Sequence, residues 1–91
     1  MRLYRVGYDL NRPGQNYPEL IAALSEVGKR VLRSDWIIRV NQTAAQVRQA
    51  VRAHIDPGDD VVVTELTDDA DWATWANVNN TGVAFLKKWL P

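Results

Sequence analysis

Asp9 is the residue whose type and position most directly suggest chemistry. It falls near the end of the first predicted strand, just before a loop. Two copies of this carboxylate brought together at a two-fold axis would suit Mg²⁺, which prefers oxygen ligands and keeps much of its water. Such a metal activates water or stabilises a leaving oxygen. The alternative roles of Asp9 are a loop cap or a salt bridge to Arg5, Arg12 or Arg39.

Other catalytic chemistries find less support in the residue types. His54 is the only histidine, so a zinc site has no second imidazole, although general acid/base catalysis stays open. Ser25 and Ser34 have no predicted base beside them. The chain has no cysteine, which excludes disulfides, thiolate zinc sites and cysteine nucleophiles. The acidic turn at 56–60 lacks the spacing of an EF-hand.

Length and composition indicate one ordinary globular domain. The chain has 91 residues, with 11 Lys and Arg against 11 Asp and Glu, and a net charge of zero. No apolar run approaches the roughly 20 residues of a membrane span, so we expect no membrane partner. The first residues lack the apolar stretch of a secretory signal, and we therefore expect a cytoplasmic protein.

The charge is divided between the two halves of the chain. Residues 1–52 hold nine Lys and Arg and four Asp and Glu, a balance of +5, whereas residues 53–91 hold two and seven, a balance of −5. The two halves either neutralise each other, within a subunit or between subunits, or form a basic face for a polyanion beside an acidic tail.

Hydrophobic periodicity and turn residues predict six elements before residue 67. The four strands are predicted over 3–10, 29–33, 35–40 and 60–66. The first helix is predicted over 17–27, and Gly28 ends it in a left-handed conformation. The second helix begins with a capping box at Thr43 and Gln46 and ends at the 56–59 turn. Three consecutive valines at 61–63 predict that the last strand is central and covered on both faces.

This order of elements predicts a single ferredoxin-like α+β domain, with a core over 1–66 and a tryptophan-rich tail over 67–91. Its antiparallel sheet would carry two helices on one face. The other face would be open, and a second copy of the chain often covers such a face. The residues predicted there are Arg5, Gly7, Asp9, Ile37 and Arg39.

The tail holds three of the four tryptophans. Trp72 and Trp75 have the spacing of one helical turn, and residues 83–90 predict a last short helix. We expect these tryptophans to clamp the tail onto the core or onto a second subunit. The alternative is stacking on nucleic-acid bases.

Two segments resemble a known family. Residues 6–10, Val-Gly-Tyr-Asp-Leu, and residues 31–38, Val-Leu-Arg-Ser-Asp-Trp-Ile-Ile, resemble the small CRISPR-associated adaptation protein, here written Cas-two, and its relatives, the virulence-associated protein D toxins and the short SinR-like bacterial proteins. The resemblance covers roughly residues 3–66. Tyr8 to Asn11, followed by residues 13–17, is most similar to the SinR-like set.

The resemblance implies a ferredoxin-like homodimer that is either a metal-dependent nuclease or a scaffold for DNA and an integrase. The family's metal-binding aspartate corresponds to Asp9. The serine and the aromatic residue that open its third strand correspond to Ser34 and Trp36.

These observations lead to a functional hypothesis of RNA or DNA phosphodiester cleavage. Asp9 from each subunit would hold Mg²⁺ as the catalytic metal ligand. Arg5, Arg33 and Arg39 would contact phosphates, and Ser34 would orient a water. The alternatives are a dimeric module that binds a protein partner without catalysis, and a scaffold that binds nucleic acid without cutting it.

Overall fold

The computed structural model describes residues 1–11, 17–77 and 79–91. It contains four strands and three helices in these ranges, with the order strand, helix, strand, strand, helix, strand, helix. They are β1 (Arg2–Asp9), α1 (Pro18–Val27), β2 (Gly28–Leu32), β3 (Asp35–Val40), α2 (Ala44–Arg52), β4 (Asp60–Glu65) and α3 (Thr81–Trp89). The predicted strands, both main helices and the last helix are confirmed within one to three residues at most ends.

The strands form one antiparallel sheet in the order β2-β3-β1-β4. This small α+β arrangement is compatible with a ferredoxin-like fold. The run of valines at 61–63 was therefore misread, because β4 is an edge strand and Val62 is 66% exposed. None of the helices in the described ranges has the length and apolarity needed to cross a membrane.

The main core lies between one face of the sheet and helices α1 and α2. Tyr4 and Val6 of β1 are fully buried there, and they pack with Leu20 and Leu24 of α1 and with Val47 of α2. The capping box predicted for α2 is confirmed: Thr43 accepts a hydrogen bond from the Gln46 backbone N–H, and the Gln46 side chain accepts one from the Thr43 N–H. For α1, the spacing of Asn16 and Glu19 predicts a capping box with Asn16 as the N-cap. The N-cap residue of α1 is Tyr17, and Asn16 lies outside the described residues.

The second face of the sheet is not open over its whole extent, which corrects our expectation. Ile37, predicted to be uncovered, is only 3% exposed because Leu86 and Leu90 of the C-terminal segment pack over it and over Leu3. Trp72 joins this second cluster, and its indole N–H donates to the Leu90 carbonyl at 2.8 Å. Helix α3 therefore takes the place that a second copy was expected to fill on half of this face.

Two local predictions were wrong. Trp72 and Trp75 do not share a helical turn, since residues 71–77 have no regular secondary structure and Trp75 is fully exposed. Gly28 is not left-handed but extended, with φ −168° and ψ −161°. Glycine is needed there for space, because a Cβ atom would lie 2.0 Å from the Ile37 carbonyl oxygen of the neighbouring strand.

Candidate functional site

The half of the second sheet face that α3 leaves uncovered is a shallow cavity of about 390 Å³. We call this surface the open patch. Three strands contribute to it, β1 with Arg5, Gly7 and Asp9, β3 with Asp35, and β4 with Asp60, Val62 and Thr64. Three carboxylates against one guanidinium give the open patch an acidic character that suits a cation.

Asp9 and Asp60 lie directly opposite each other in the antiparallel ladder of β1 and β4. Cross-strand partners point to the same face, with Cβ atoms about 5 Å apart, and like charges in this arrangement repel each other. Asp60 accepts a hydrogen bond from the Asn11 side-chain amide at 3.2 Å. Within the described ranges the Asp9 carboxylate forms neither a hydrogen bond nor an ion pair. The pair therefore offers carboxylate oxygens to a cation.

The turn before β4 fixes the position of this pair. Asp59 accepts hydrogen bonds from the Asn11 backbone N–H at 2.8 Å, from the Asp56 N–H at 2.9 Å and from the Tyr17 hydroxyl at 2.8 Å. Asn11 also donates to the Gly58 carbonyl at 2.6 Å. These bonds fasten the end of β1 to the start of β4, so Asp9 stays beside Asp60.

Tyr17 belongs to the hydrogen-bond network that joins β1 to β4, and its backbone conformation is unusual. Its φ of 27° is in the left-handed region, which a non-glycine residue seldom occupies without support from its surroundings. Removal of water from the hydroxyl, followed by the hydrogen bonds to Asp59 and Asp56, raises the pKa of Tyr17 to about 12. Tyr17 therefore stays protonated and keeps donating to Asp59 at neutral pH.

Arg5 lies in the open patch but already has a partner. Its Nε donates to Asp35 Oδ1 at 2.9 Å. The Arg5 guanidinium, which we expected to contact phosphate, is therefore bound to a carboxylate of the protein. Asp35 is in turn the one of the three carboxylates that is already neutralised.

Arg39, also predicted to contact phosphate, does not lie with the other candidate residues. Its guanidinium covers the ring of Trp89, 3.7 Å from the ring centroid. Arg39 thus fastens α3 to the sheet through a cation–π contact.

Arg33 and Ser34 form the turn between β2 and β3, and the structure brings both close to Asp9. The Ser34 carbonyl accepts a hydrogen bond from the Tyr8 N–H at 3.0 Å, which holds the turn against the end of β1. Asp9 and Ser34 line the open patch, and together with Arg33 they also line a neighbouring groove.

Asp60 is the candidate residue that sequence reasoning missed, since we considered it only as part of the acidic turn at 56–60. The signal was present in the chain. If the fourth strand runs antiparallel beside the first, the residue that begins the fourth strand faces the residue that ends the first.

Asp9 and Asp60 are the side chains of the open patch that could hold a divalent cation such as Mg²⁺. Over the described ranges, no three or more His, Cys, Asp or Glu side chains form a cluster that could hold a metal ion. Mg²⁺ is typically bound through one or two carboxylates, with water and substrate phosphates completing its octahedron. Asp9 and Asp60 supply that number of carboxylates in one chain.

Comparisons with known proteins give a likeness of fold. No family model matches the chain, and a search of curated proteins found no match. Among solved structures, the crystal structure of a hypothetical protein, TT1823, from Thermus thermophilus is similar, with a TM-score of 0.63 and 22% sequence identity. The similarity covers 85% of this chain and 95% of that one. At this identity it shows the fold alone.

Proposed function

We propose that the chain has the ferredoxin-like βαββαβ topology and belongs with the Cas-two and SinR-like proteins. Two observations support this proposal. The first six elements follow the order β-α-β-β-α-β, and the sheet order β2-β3-β1-β4 puts the first and third strands at its centre. The similarity to the Thermus protein supports the topology and is silent on activity.

We further propose that the protein is a homodimeric, Mg²⁺-dependent nuclease that cleaves RNA or DNA. The observation that carries this proposal is the cross-strand pair of Asp9 and Asp60 on the uncovered part of the sheet. Asp9 is the metal ligand and Asp60 assists it. Mg²⁺ held by these carboxylates would polarise the phosphate and activate a water. Arg33 contacts a phosphate of the substrate, and the Ser34 hydroxyl orients the water.

Dimerisation through the open patch would bring a second Asp9 to the site. Val62 provides the apolar contact, since its side chain is 66% exposed beside the carboxylates. Two like-charged patches repel each other, so a bound cation between them would stabilise the dimer. We place this activity in the cytoplasm, in keeping with a sequence that has no cysteine.

The test is cleavage of labelled RNA and DNA oligonucleotides with and without Mg²⁺. We expect Mg²⁺-dependent products from the natural protein, and at least a hundredfold slower cleavage by Asp9→Asn. Asp69→Asn, which removes an exposed carboxylate from the tail, is the matched control and should cleave normally. Equal cleavage by Asp9→Asn, or cleavage that persists in EDTA, would overturn the proposal. Binding without cleavage would indicate the scaffold function instead.

A second candidate function is a dimeric module that binds a protein partner. Trp75 favours it, because this large apolar side chain is fully exposed at one side of a cavity of about 430 Å³. Exposed tryptophan is typical of interface hot spots. Under this function, Trp75→Ser abolishes co-purification of the partner and leaves the melting temperature unchanged, whereas Asp9→Asn has no effect on binding. Retained binding by Trp75→Ser would exclude it.

A further inference from the structure

A groove of about 490 Å³ adjoins the open patch at the end of β1. Its walls come from the end of β1, the start of α1 and the turn between β2 and β3. The polar side chains that line it belong to Asp9, Asn11, Tyr17, Arg30, Arg33 and Ser34. Its volume is in the range of small-ligand pockets, and it therefore accommodates about one nucleotide of a strand.

Two arginines give this groove a cationic wall. Arg33 is exposed in the turn between β2 and β3. Arg30 lies over the ring of Trp36, 4.8 Å from the centroid. Trp36 is only 3% exposed, and its indole N–H donates to the Tyr8 hydroxyl at 3.3 Å. The guanidinium of Arg30 is thus held on a fixed surface, which lowers the entropy cost of binding an anion.

Neither arginine has a carboxylate partner among the described residues, where the ion pairs are Arg2 with Glu65 and Arg5 with Asp35. Arg30 and Arg33 differ in this respect from Arg5, the arginine of the open patch. The guanidinium of Arg5 is paired with the Asp35 carboxylate. The guanidinium donors at the groove are consequently left for an external anion, and planar guanidinium groups match phosphate oxygens well.

The groove and the open patch meet at Asp9. Tyr8, Asp9 and Ser34 line both of them. The two surfaces have opposite character, since carboxylates dominate the open patch and arginines the groove. A nucleic-acid strand crosses such a boundary favourably when one phosphate lies on the arginines and the next is bridged to the carboxylates by a cation.

We infer that the groove is a subsite for a single nucleic-acid strand, in which Arg30 and Arg33 bind the phosphate next to the one that is cleaved. This inference rests on the proposed nuclease function and adds Arg30 to its binding residues. Trp36 acts as a positioning residue that holds Arg30 at the groove.

The test measures binding without cleavage. All variants are made on the Asp9→Asn background and assayed without divalent cations, so the result does not depend on catalysis. The probe is a fluorescein-labelled single-stranded RNA oligonucleotide, followed by anisotropy over a range of salt concentrations. The groove variant is Arg30→Gln with Arg33→Gln. The matched control, Arg48→Gln with Arg52→Gln, removes the same charge from exposed positions on α2.

We expect the groove variant to bind at least tenfold more weakly and the slope of log K against log salt to fall by about 1.4, which corresponds to two lost phosphate contacts on a single strand. The α2 control should lose less than threefold. Equal losses in both double variants, or no loss in either, would overturn the inference.

Two further variants show whether a loss of binding is caused by a loss of folding. Arg33→Gln alone removes a side chain that makes no hydrogen bond or ion pair with the described residues, so it should keep the melting temperature while weakening binding at least threefold. Arg30→Lys with Arg33→Lys keeps the charge but loses the planar donor pair, and it should restore the salt slope but only part of the affinity. Full affinity in Arg33→Gln would contradict a phosphate contact at that residue. Failure of the nuclease function would appear separately, as unchanged cleavage by Asp9→Asn.

Discussion

Arg5 Nε donates to Asp35 Oδ1 at 2.9 Å, and the Asp35 carboxylate lies against Gly7 on the neighbouring strand. A Cβ atom on residue 7 would be only 2.9 Å from that oxygen. The absence of a side chain at Gly7 therefore provides the space that the Asp35 carboxylate occupies in the ion pair. The pair has a functional consequence. It occupies the arginine that lines the open patch, and the Asp9 carboxylate is left for another cation.

Gly28 supports the junction of α1 and β2 through its lack of a side chain. We expect Gly28→Ala to destabilise the protein by at least about 2 kcal/mol, because the new Cβ would collide with the Ile37 backbone and force the strands apart. Gly58→Ala is the control, since nothing lies within 4 Å of its Cβ position. Urea unfolding followed by circular dichroism measures both. Equal midpoints for the two variants would contradict the packing at Gly28.

Arg39 is expected to be a structural residue. Arg39→Gln removes the cation–π contact with Trp89 and should lower the free energy of unfolding by about 1 kcal/mol. Cleavage and RNA binding should remain as in the natural protein. Urea unfolding and the cleavage assay test the two parts, and a large loss of RNA binding without loss of stability would return Arg39 to the binding surface.

Tyr17 is expected to make the free energy of unfolding depend on pH in the alkaline range. Its folded-state pKa of about 12 exceeds the ordinary value of 10.0, so the folded state retains a proton that the unfolded chain releases first. The stabilisation is complete below pH 10 and is lost as the pH rises through 12. Tyr17→Phe should lack this loss between pH 10 and 12. Tyrosinate absorbance measures the titration directly, and a Tyr17 step near pH 10 would contradict the fastening to Asp59.

Val62 tests the interface of the proposed dimer. Val62→Glu adds a carboxylate to the acidic open patch and should convert the dimer to a monomer in light scattering at micromolar concentration. Its circular dichroism should be unchanged, since Val62 is exposed on an edge strand. Ala45→Glu, at an exposed position of α2, is the control and should stay dimeric. A dimer that tolerates Val62→Glu would place the interface elsewhere.

The sequence allowed most of the elements to be predicted because their signals are local. Alternation marks β1, and the capping box of Thr43 and Gln46 starts α2. The position of β4 within the sheet has no such local signal. Val62 has the residue type of a buried strand, yet it is exposed because the strand order puts β4 at an edge. No pattern within residues 60–66 distinguishes a central from an edge strand.

The site was predictable where it depends on strand ends. Asp9 ends β1 and Ser34 immediately precedes β3, and the structure puts both beside the same cavity. Arg5 and Arg39 were harder, because their partners, Asp35 and Trp89, are 30 and 50 residues away. A charged side chain is equally suited to phosphate, carboxylate or an aromatic ring, and only tertiary structure decides between them.

We propose that Asp9 holds a divalent cation at an interface between two copies of the chain. The most direct test is a crystal structure of the protein grown with Mn²⁺ and analysed by anomalous diffraction. We predict an anomalous peak between two protomers, within about 2.0–2.6 Å of an Asp9 carboxylate oxygen from each. Protomers whose Asp9 side chains lie far apart, with no manganese at either, would contradict a shared cation site.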